Sequence, residues 1–487
     1  MTEELADGTG SSVQASAPLL ASFSVDDLFG RYSYDVDVPT QADGLPGRLL
    51  LIYGDNGSGK TTLLNMVRHL LSPAHNRQHR RYLMRVPFSK FTVRFSDGSS
   101  IVVVKTSGLL GSFDVTVSRP AEDRDFVVRF EANDTAHRAE LDLRYRMDIE
   151  FRARHAGEPV DRAYERALRR RAMSLDEDVV KNQEAEEEFY KFLRESEINP
   201  LFLADDRTIY SDDYERERER DRERRAPSDA GQRSATEVVE RELRETISRV
   251  NDVVTSLTLA GQNIGSAGAN TIYGNVLRHL ATTSGDGDEL HSATEGEAGQ
   301  LLQDLEKQSP RFEEFGLVPH FAADEFFSLM QAIPQERQGI AEGILVPYLD
   351  SLRTRYVALE DAERILRALL TTINDFLVDK SFTFTPRLGL RILTASGGDL
   401  EVSSLSSGER QLTMLLCTTL LAGRGSRLFI IDEPELSLGV RWQRQILDAL
   451  LTLTDGSPLQ FIAATHSVEM ITSQSEYLVR LKRRENA

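Results

Sequence analysis

The sequence predicts an α/β fold whose two halves come from opposite ends of the chain, split by a large, mainly helical insertion. Three observations carry this expectation. A continuous apolar run, Leu49-Leu50-Leu51-Ile52-Tyr53, leads directly into a glycine-rich loop at 54–61. Far downstream a second apolar run, Leu428-Phe429-Ile430-Ile431, ends in the adjacent carboxylates Asp432 and Glu433. Between them, residues 126–380 lose most of the strand pattern and become rich in Arg and Glu.

Composition sets the outer bounds. A chain of 487 residues has the length of two or three domains, or of one domain with a large insertion. Hydrophobic residues make up 40%, enough for a sizeable core. No apolar run reaches the ~20 residues of a membrane helix, and the first 20 residues lack a signal-peptide pattern, so a soluble cytoplasmic protein without membrane contact is expected. Cys417 is the single cysteine, which excludes an intramolecular disulfide and a cysteine-based metal cage; it reads as a small core residue on a helix. The net charge of −19 (58 − 77) argues against a chain that coats nucleic acid through overall charge, and leaves a local basic groove open.

Taken in order, residues 1–18 are small and polar and read as a disordered leader. The first part of the α/β lobe spans 19–125. Ala21-Ser22-Phe23-Ser24-Val25 and the alternating 32–38 segment predict two strands, and 49–53 predicts a buried one. Thr61-Thr62-Leu63-Leu64 opens a helix after the glycine loop. Strands are expected at 91–96, 100–105 and 113–118. Within 126–380, the run 215–225 alternates Glu or Asp with Arg; a solvated helix, a disordered linker and a nucleic-acid strip are its three readings. Leu243, Ile247, Val250, Val254 and Leu257 follow heptad spacing. So do Leu349, Leu352, Tyr356 and Leu359, continued by Leu366, Leu370, Ile373 and Leu377, and these stripes predict two helices packed together as an arm. The glycine- and serine-rich stretches 261–274 and 284–299 read as loops. The second part of the lobe, 381–487, begins with a hairpin at 382–402. A helix (409–422), a strand (427–431), a helix (440–451) and a strand (459–464) follow.

Gly54-Asp55-Asn56-Gly57-Ser58-Gly59-Lys60-Thr61 fits G-x-x-x-x-G-K-[ST] between a buried strand and a helix, the context in which that pattern means triphosphate binding. Small residues let backbone N–H groups turn inward around the phosphates, with Thr62 continuing the helix N-terminus. Lys60 would bridge the β- and γ-phosphates, and the Thr61 hydroxyl would ligate Mg²⁺. Asp432 would complete the metal shell, while Glu433 would activate the attacking water. Ala463-Ala464-Thr465-His466-Ser467 places a histidine at a third strand end, and the other eight histidines show no metal-ligand spacing.

Leu405-Ser406-Ser407-Gly408-Glu409 resembles the signature motif of ABC-type ATPases. With the glycine loop, 429–438 and 463–467, the set is similar to the SMC, RecF and OLD-like group, over roughly the outer 120 and 100 residues. Leu-Ser-Ser-Gly-Glu-Arg-Gln is the SMC and RecF form, and Asp432-Glu433-Pro434-Glu435-Leu436-Ser437-Leu438 is the OLD-like form. The hairpin sequence 29–34 is also similar to the first hairpin of those ATPases. The resemblance implies an ATPase using ATP and Mg²⁺. Ser406, Ser407 and Gly408 would then meet the γ-phosphate of ATP held by a second copy, while Lys60, Glu433 and a γ-phosphate-sensing His466 act within one chain. It also implies a separately encoded effector, a nuclease or toxin, as in the anti-phage ATPases of the PARIS and Septu type. The alternative is a DNA-repair or DNA-binding head like RecF, with nucleic acid as partner. Arg207 is a candidate ATP sensor. Two departures stand out: Gly439 replaces a histidine common in OLD-like ATPases, and the transporter-type D-loop aspartate is missing. Only 467–487 follow His466, so the C-terminal nuclease domain of OLD enzymes is not expected.

Overall fold

The computed structural model describes residues 18–41, 44–75, 77–120, 124–131, 177–206, 208–212, 235–282, 296–332 and 335–481. The 215–225 run, Arg207, the leader up to residue 17 and the 284–295 part of the second expected loop lie outside these residues. The chain separates into two compact units. The first comprises 1–229, 422–436 and 457–487, and the second 230–421 and 437–456.

The first unit is built on two sheets. Strands β1 (Leu20–Leu28), β2 (Tyr32–Asp37), β4 (Lys90–Phe95), β5 (Ser100–Lys105), β6 (Phe113–Arg119) and β7 (Arg124–Phe130) form an antiparallel sheet in the order β2-β1-β4-β5-β6-β7. The second sheet runs β15-β3-β14-β13-β8-β9. Its members are β3 (Leu49–Tyr53), β8 (Leu201–Leu203), β9 (Ile209–Tyr210), β13 (Leu428–Asp432), β14 (Gln460–Thr465) and β15 (Leu478–Arg480). Every pair in it is parallel except β8–β9. Strands β13 and β14 are buried along their whole length, which explains runs of apolar residues where a half-exposed strand would alternate. Leu50, Ile52, Leu428, Ile430, Ile462 and Ala464 share one core with helix α1 (Lys60–Leu71) and the antiparallel sheet. Leu63, Leu64, Met66 and Val67 of α1 are fully buried, each contributing roughly 1.5–3 kcal/mol of transfer free energy.

The expected insertion boundary at 126 falls inside β7, whose pairing with β6 extends the first lobe. Helix α2 (Arg77–Arg85), helix α3 (Glu177–Glu195), β8 and β9 also belong to the first unit, so the segment from 126 is not uniformly insertion. Strand β8 has three residues, too few to reveal a period, and is fixed by pairing with β13.

In the second unit, helices α4 (Ala235–Thr282), α5 (Glu297–Glu313), α6 (Ala323–Ala332) and α7 (Gln335–Phe376) precede a three-stranded antiparallel sheet. That sheet comprises β10 (Lys380–Thr385), β11 (Gly389–Thr394) and β12 (Asp399–Leu400). Helices α8 (Ser407–Gly425) and α9 (Val440–Leu453) follow the sheet, and α10 (Val468–Ser473) belongs to the first unit. The heptad stripes bury as expected: Leu243, Val250 and Val254 on α4, and Leu349, Tyr356, Leu359, Leu366 and Ile373 on α7. The loop expected at 261–274 is instead helix, part of α4. Close packing explains the glycine at its start. A Cβ on Gly261 would stand 2.6 Å from Leu359 Cδ2 and 2.9 Å from its Cγ, so the bare backbone lets α4 and α7 approach. Replacing Gly261 with leucine should therefore overpack this crossing and cost about 1–3 kcal/mol, read as a lower denaturation midpoint.

Candidate phosphate-binding and carboxylate site

Strand β3 delivers the glycine loop and α1 carries it away. Gly57 and Gly59 adopt φ of +75° and +87°, the left-handed region that side chains rarely enter. The loop is also walled from behind. A Cβ on Gly59 would lie 3.1 Å from Leu28 Cδ2 and 3.2 Å from Phe29 Cε2. Tyr34 Oη, from the β1–β2 hairpin, donates to the Ser58 carbonyl at 2.9 Å. The hairpin thus shapes the phosphate loop, a role that motif reading alone did not assign. Asp55, Asn56 and Gly57 stay exposed at the rim, as does Thr61 at the head of α1.

Lys60 is buried. Its Nζ donates to the carbonyls of Gly54 (2.8 Å) and Asp55 (3.2 Å), spanning the loop's first turn. Burial lowers its pKa, opposed in descending order by Asp432, Glu433, Asp55 and Glu435. Lys60 and Glu433, far apart in sequence, therefore belong to one electrostatic site. The register explains how: Asp432 pairs with Ala464, and Ala464 pairs with Ile52, so β13, β14 and β3 end in a row.

Asp432 is 1% exposed, and neither carboxylate oxygen has a hydrogen-bond partner. Burial raises its pKa; the nearby Thr61 hydroxyl offsets this only in part, short of a full hydrogen bond. Such an orphaned pair of buried oxygens beside a threonine hydroxyl fits a divalent cation. Mg²⁺ is commonly held by one or two protein groups plus phosphates and water, and Thr61 with Asp432 would fit that donor set.

Glu433 takes φ +50°, uncommon for a residue with a side chain, and donates its N–H to the Ala464 carbonyl at 2.9 Å. Its half-exposed carboxylate lies 4.0 Å from His466 Nε2. One residue of this loop had no role assigned from sequence. Glu435 Oε1 accepts the backbone N–H groups of His466 (2.6 Å) and Ser467 (3.1 Å).

The signature segment lies in the second unit. Ser406 and Glu409 form a reciprocal capping box: Ser406 N–H donates to Glu409 Oε2 at 2.7 Å, and Glu409 N–H to Ser406 Oγ at 3.3 Å. Lys380 Nζ donates to the same Oε2 at 2.7 Å and to the Ser404 carbonyl at 3.1 Å. Burial works to raise the Glu409 pKa, yet Lys380 and Ser406 hold it below the usual carboxylate range. Gly408 is required sterically, since a Cβ would stand 2.8 Å from the Ser437 carbonyl oxygen. Ser406 and Ser407 are exposed at the N-terminus of α8, a suitable face for an anion. The capping box was readable as Ser-x-x-Glu; Lys380 left no signal, because only the β10 fold brings it there.

A family model described as "AAA domain, putative AbiEii toxin, Type IV TA system" matches residues 346–472, which include the signature, both carboxylates and His466. Among solved structures, the chain is similar to an Smc head domain with an extended coiled coil, bound to the C-terminal domain of ScpA, derived from Pyrococcus furiosus. Identity is 12% and the TM-score 0.39, over 96% of this chain and 94% of that one. An SMC head domain from Thermotoga maritima is similar at 11% identity and a TM-score of 0.30, over 93% and 91%. The strand order and loop geometry above establish the fold: an α/β unit with a strand–glycine-loop–helix element and a largely helical insertion. No helix among the described residues is long and apolar enough to cross a membrane.

The Asp432 burial has a measurable sign. A carboxyl whose pKa is raised by folding holds its proton more tightly when folded, so its ionisation costs stability as pH rises above the unfolded carboxylate value. Asp432→Asn should therefore leave the nucleotide-free protein as stable or more so at neutral pH, and flatten this part of the pH dependence. Thermal melting across pH 4–8, with and without Mg²⁺-ATP, checks this; the variant should lose the Mg²⁺-dependent stabilisation.

Proposed function

We propose that the protein is an ATP-hydrolysing ABC-type ATPase whose site is completed by a second copy of the chain. The supporting observation is the division of chemistry between the units. One holds the glycine loop, Lys60, Asp432, Glu433 and His466 around a common point; the other holds Ser406 and Ser407 on an exposed helix N-terminus. A phosphate-binding helix start open to solvent is what a partner's γ-phosphate would need. Phe29, Leu436 and Val468, next to the glycine loop, the Walker-type turn and the switch histidine, are 45%, 42% and 67% exposed, an apolar fringe that a second copy would cover.

In this reading Gly54, Asp55, Asn56, Gly57, Ser58 and Gly59 cradle phosphates through their backbone, and Lys60 exchanges its carbonyl partners for phosphate oxygens. Thr61 and Asp432 hold Mg²⁺, which supplies charge neutralisation when bound. Glu433 takes a proton from the attacking water, and His466 senses the γ-phosphate. The biological setting we favour is anti-phage defence beside an effector protein, nuclease or toxin. It rests on the Asp-Glu-Pro-Glu-Leu-Ser-Leu resemblance. The alternative, a DNA-repair or DNA-binding head, is opposed by the net charge of −19; ATP-stimulated, salt-dependent duplex binding would favour it.

Glu433→Gln should bind ATP, hydrolyse it at least ~100-fold more slowly, and accumulate as an ATP-bound dimer in light scattering. Normal turnover would remove Glu433 from the base role. Ser406→Arg should leave ATP binding, followed by calorimetry, unchanged while abolishing hydrolysis; full activity would exclude a site shared between copies.

A further inference from the structure

We infer that Glu435 is the positioning residue that fixes the switch histidine against the hydrolytic carboxylate. This deepens the reading above and rests on His466 having a part in turnover. After β13 the chain folds back sharply: Glu433 at φ +50°, Leu436 N–H bonding to the Glu433 carbonyl at 3.1 Å, and Ser437 at φ +63°. The fold-back turns the Glu435 side chain toward the end of the neighbouring strand β14. There a single oxygen, Oε1, takes two consecutive backbone N–H groups, His466 at 2.6 Å and Ser467 at 3.1 Å.

Neither amide has a place in the sheet, because β14 ends at Thr465 and α10 begins at Val468 with Ser467 as its cap; the Ser467 N–H is shared with Thr465 Oγ1 at 2.9 Å, whereas Glu435 takes the His466 N–H. An anionic acceptor shared by two amides is a strong, short-range clamp. With Glu433 N–H on the Ala464 carbonyl at 2.9 Å, it ties the carboxylate turn to the switch turn at three points. The imidazole that results stands 4.0 Å from Glu433 Oε1. Shifting the His466 backbone would move the ring off that position, so the clamp fixes the spacing between the two groups. The clamp explains a carboxylate held in a costly place: Glu435 Oε2 is buried without a hydrogen-bond partner.

The test is a double-mutant cycle in the full-length protein with Mg²⁺-ATP, reading kcat, KM and ATP binding for Glu435→Ala, His466→Ala and the pair. Glu435→Ala should lower kcat on the order of 10- to 100-fold, as loss of an orienting group does, with KM and ATP affinity within about threefold. On the His466→Ala background the same change should add less than about threefold. Glu435→Gln keeps an oxygen for both amides and should recover most of the turnover. Retained ATP affinity shows that the variants fold. An unchanged kcat in Glu435→Ala overturns the inference, as does a full second loss on the His466→Ala background, or a glutamine variant as weak as alanine. If His466→Ala itself has no effect while ATP binding persists, the switch reading fails first, and this inference with it.

Discussion

Burying the Lys60 ammonium beneath a glycine loop is the constraint on which the first unit depends. Desolvation disfavours that charge, and the opposing carboxylates Asp432, Glu433 and Glu435 come from the other end of the sequence. The site therefore exists only while β13 and β14 lie in register beside β3. The same residues carry the complementary problem, since Asp432 is buried with both oxygens unpartnered. In the proposed function, two opposite charges that are individually costly would serve a triphosphate and a cation once assembled.

Much of the surrounding structure makes that arrangement rigid. Helix α1 is anchored beyond its C-terminal end, where Arg80 donates to the carbonyls of His69, Leu70 and Ser72. Asp212 accepts from Ser72 Oγ at 2.7 Å and Ala74 N–H at 3.0 Å. Burial, with Arg68 and its neighbours, pushes the His69 pKa down to about 2, so the ring stays neutral inside this network. Arg68 lies 4.5 Å over the Tyr210 ring and ties the helix to the sheet edge. At the opposite end of the chain, Gln460 bonds the backbone of Leu20 in both directions and the Gly47 carbonyl, joining β14 to the first strand. These groups hold the helix and strands that present the candidate ligand residues.

In the second unit the same logic applies to the signature helix. Asn374 at the end of α7 both donates to and accepts from the Phe382 backbone, fixing the β10 hairpin on the helix. Lys380, two residues earlier, then meets Glu409 of the capping box. On the other side, Arg410 bonds the Leu405 carbonyl at 2.8 Å and Glu240 of α4 at 3.3 Å. The signature start is thus gripped from both long helices of the insertion, a direct physical link between the arm and the exposed serines Ser406 and Ser407.

Strands β3, β13 and β14, the glycine loop, the carboxylate pair and the heptad helices were legible from sequence, because each is encoded locally by an apolar run, a fixed spacing or a period. Residue order alone also named the candidate side chains, from Lys60 to His466. Tertiary structure decided the rest. Strand β8 is too short to show a pattern, Gly261 reads as a loop former until Leu359 packs against it, and the work of Tyr34, Lys380 and Glu435 depends on neighbours distant in sequence. A local pattern reports a residue's own conformational preference. Which backbone amide or carbonyl lies within 3 Å of a side chain is set by the pairing of elements, and only the folded chain contains that information.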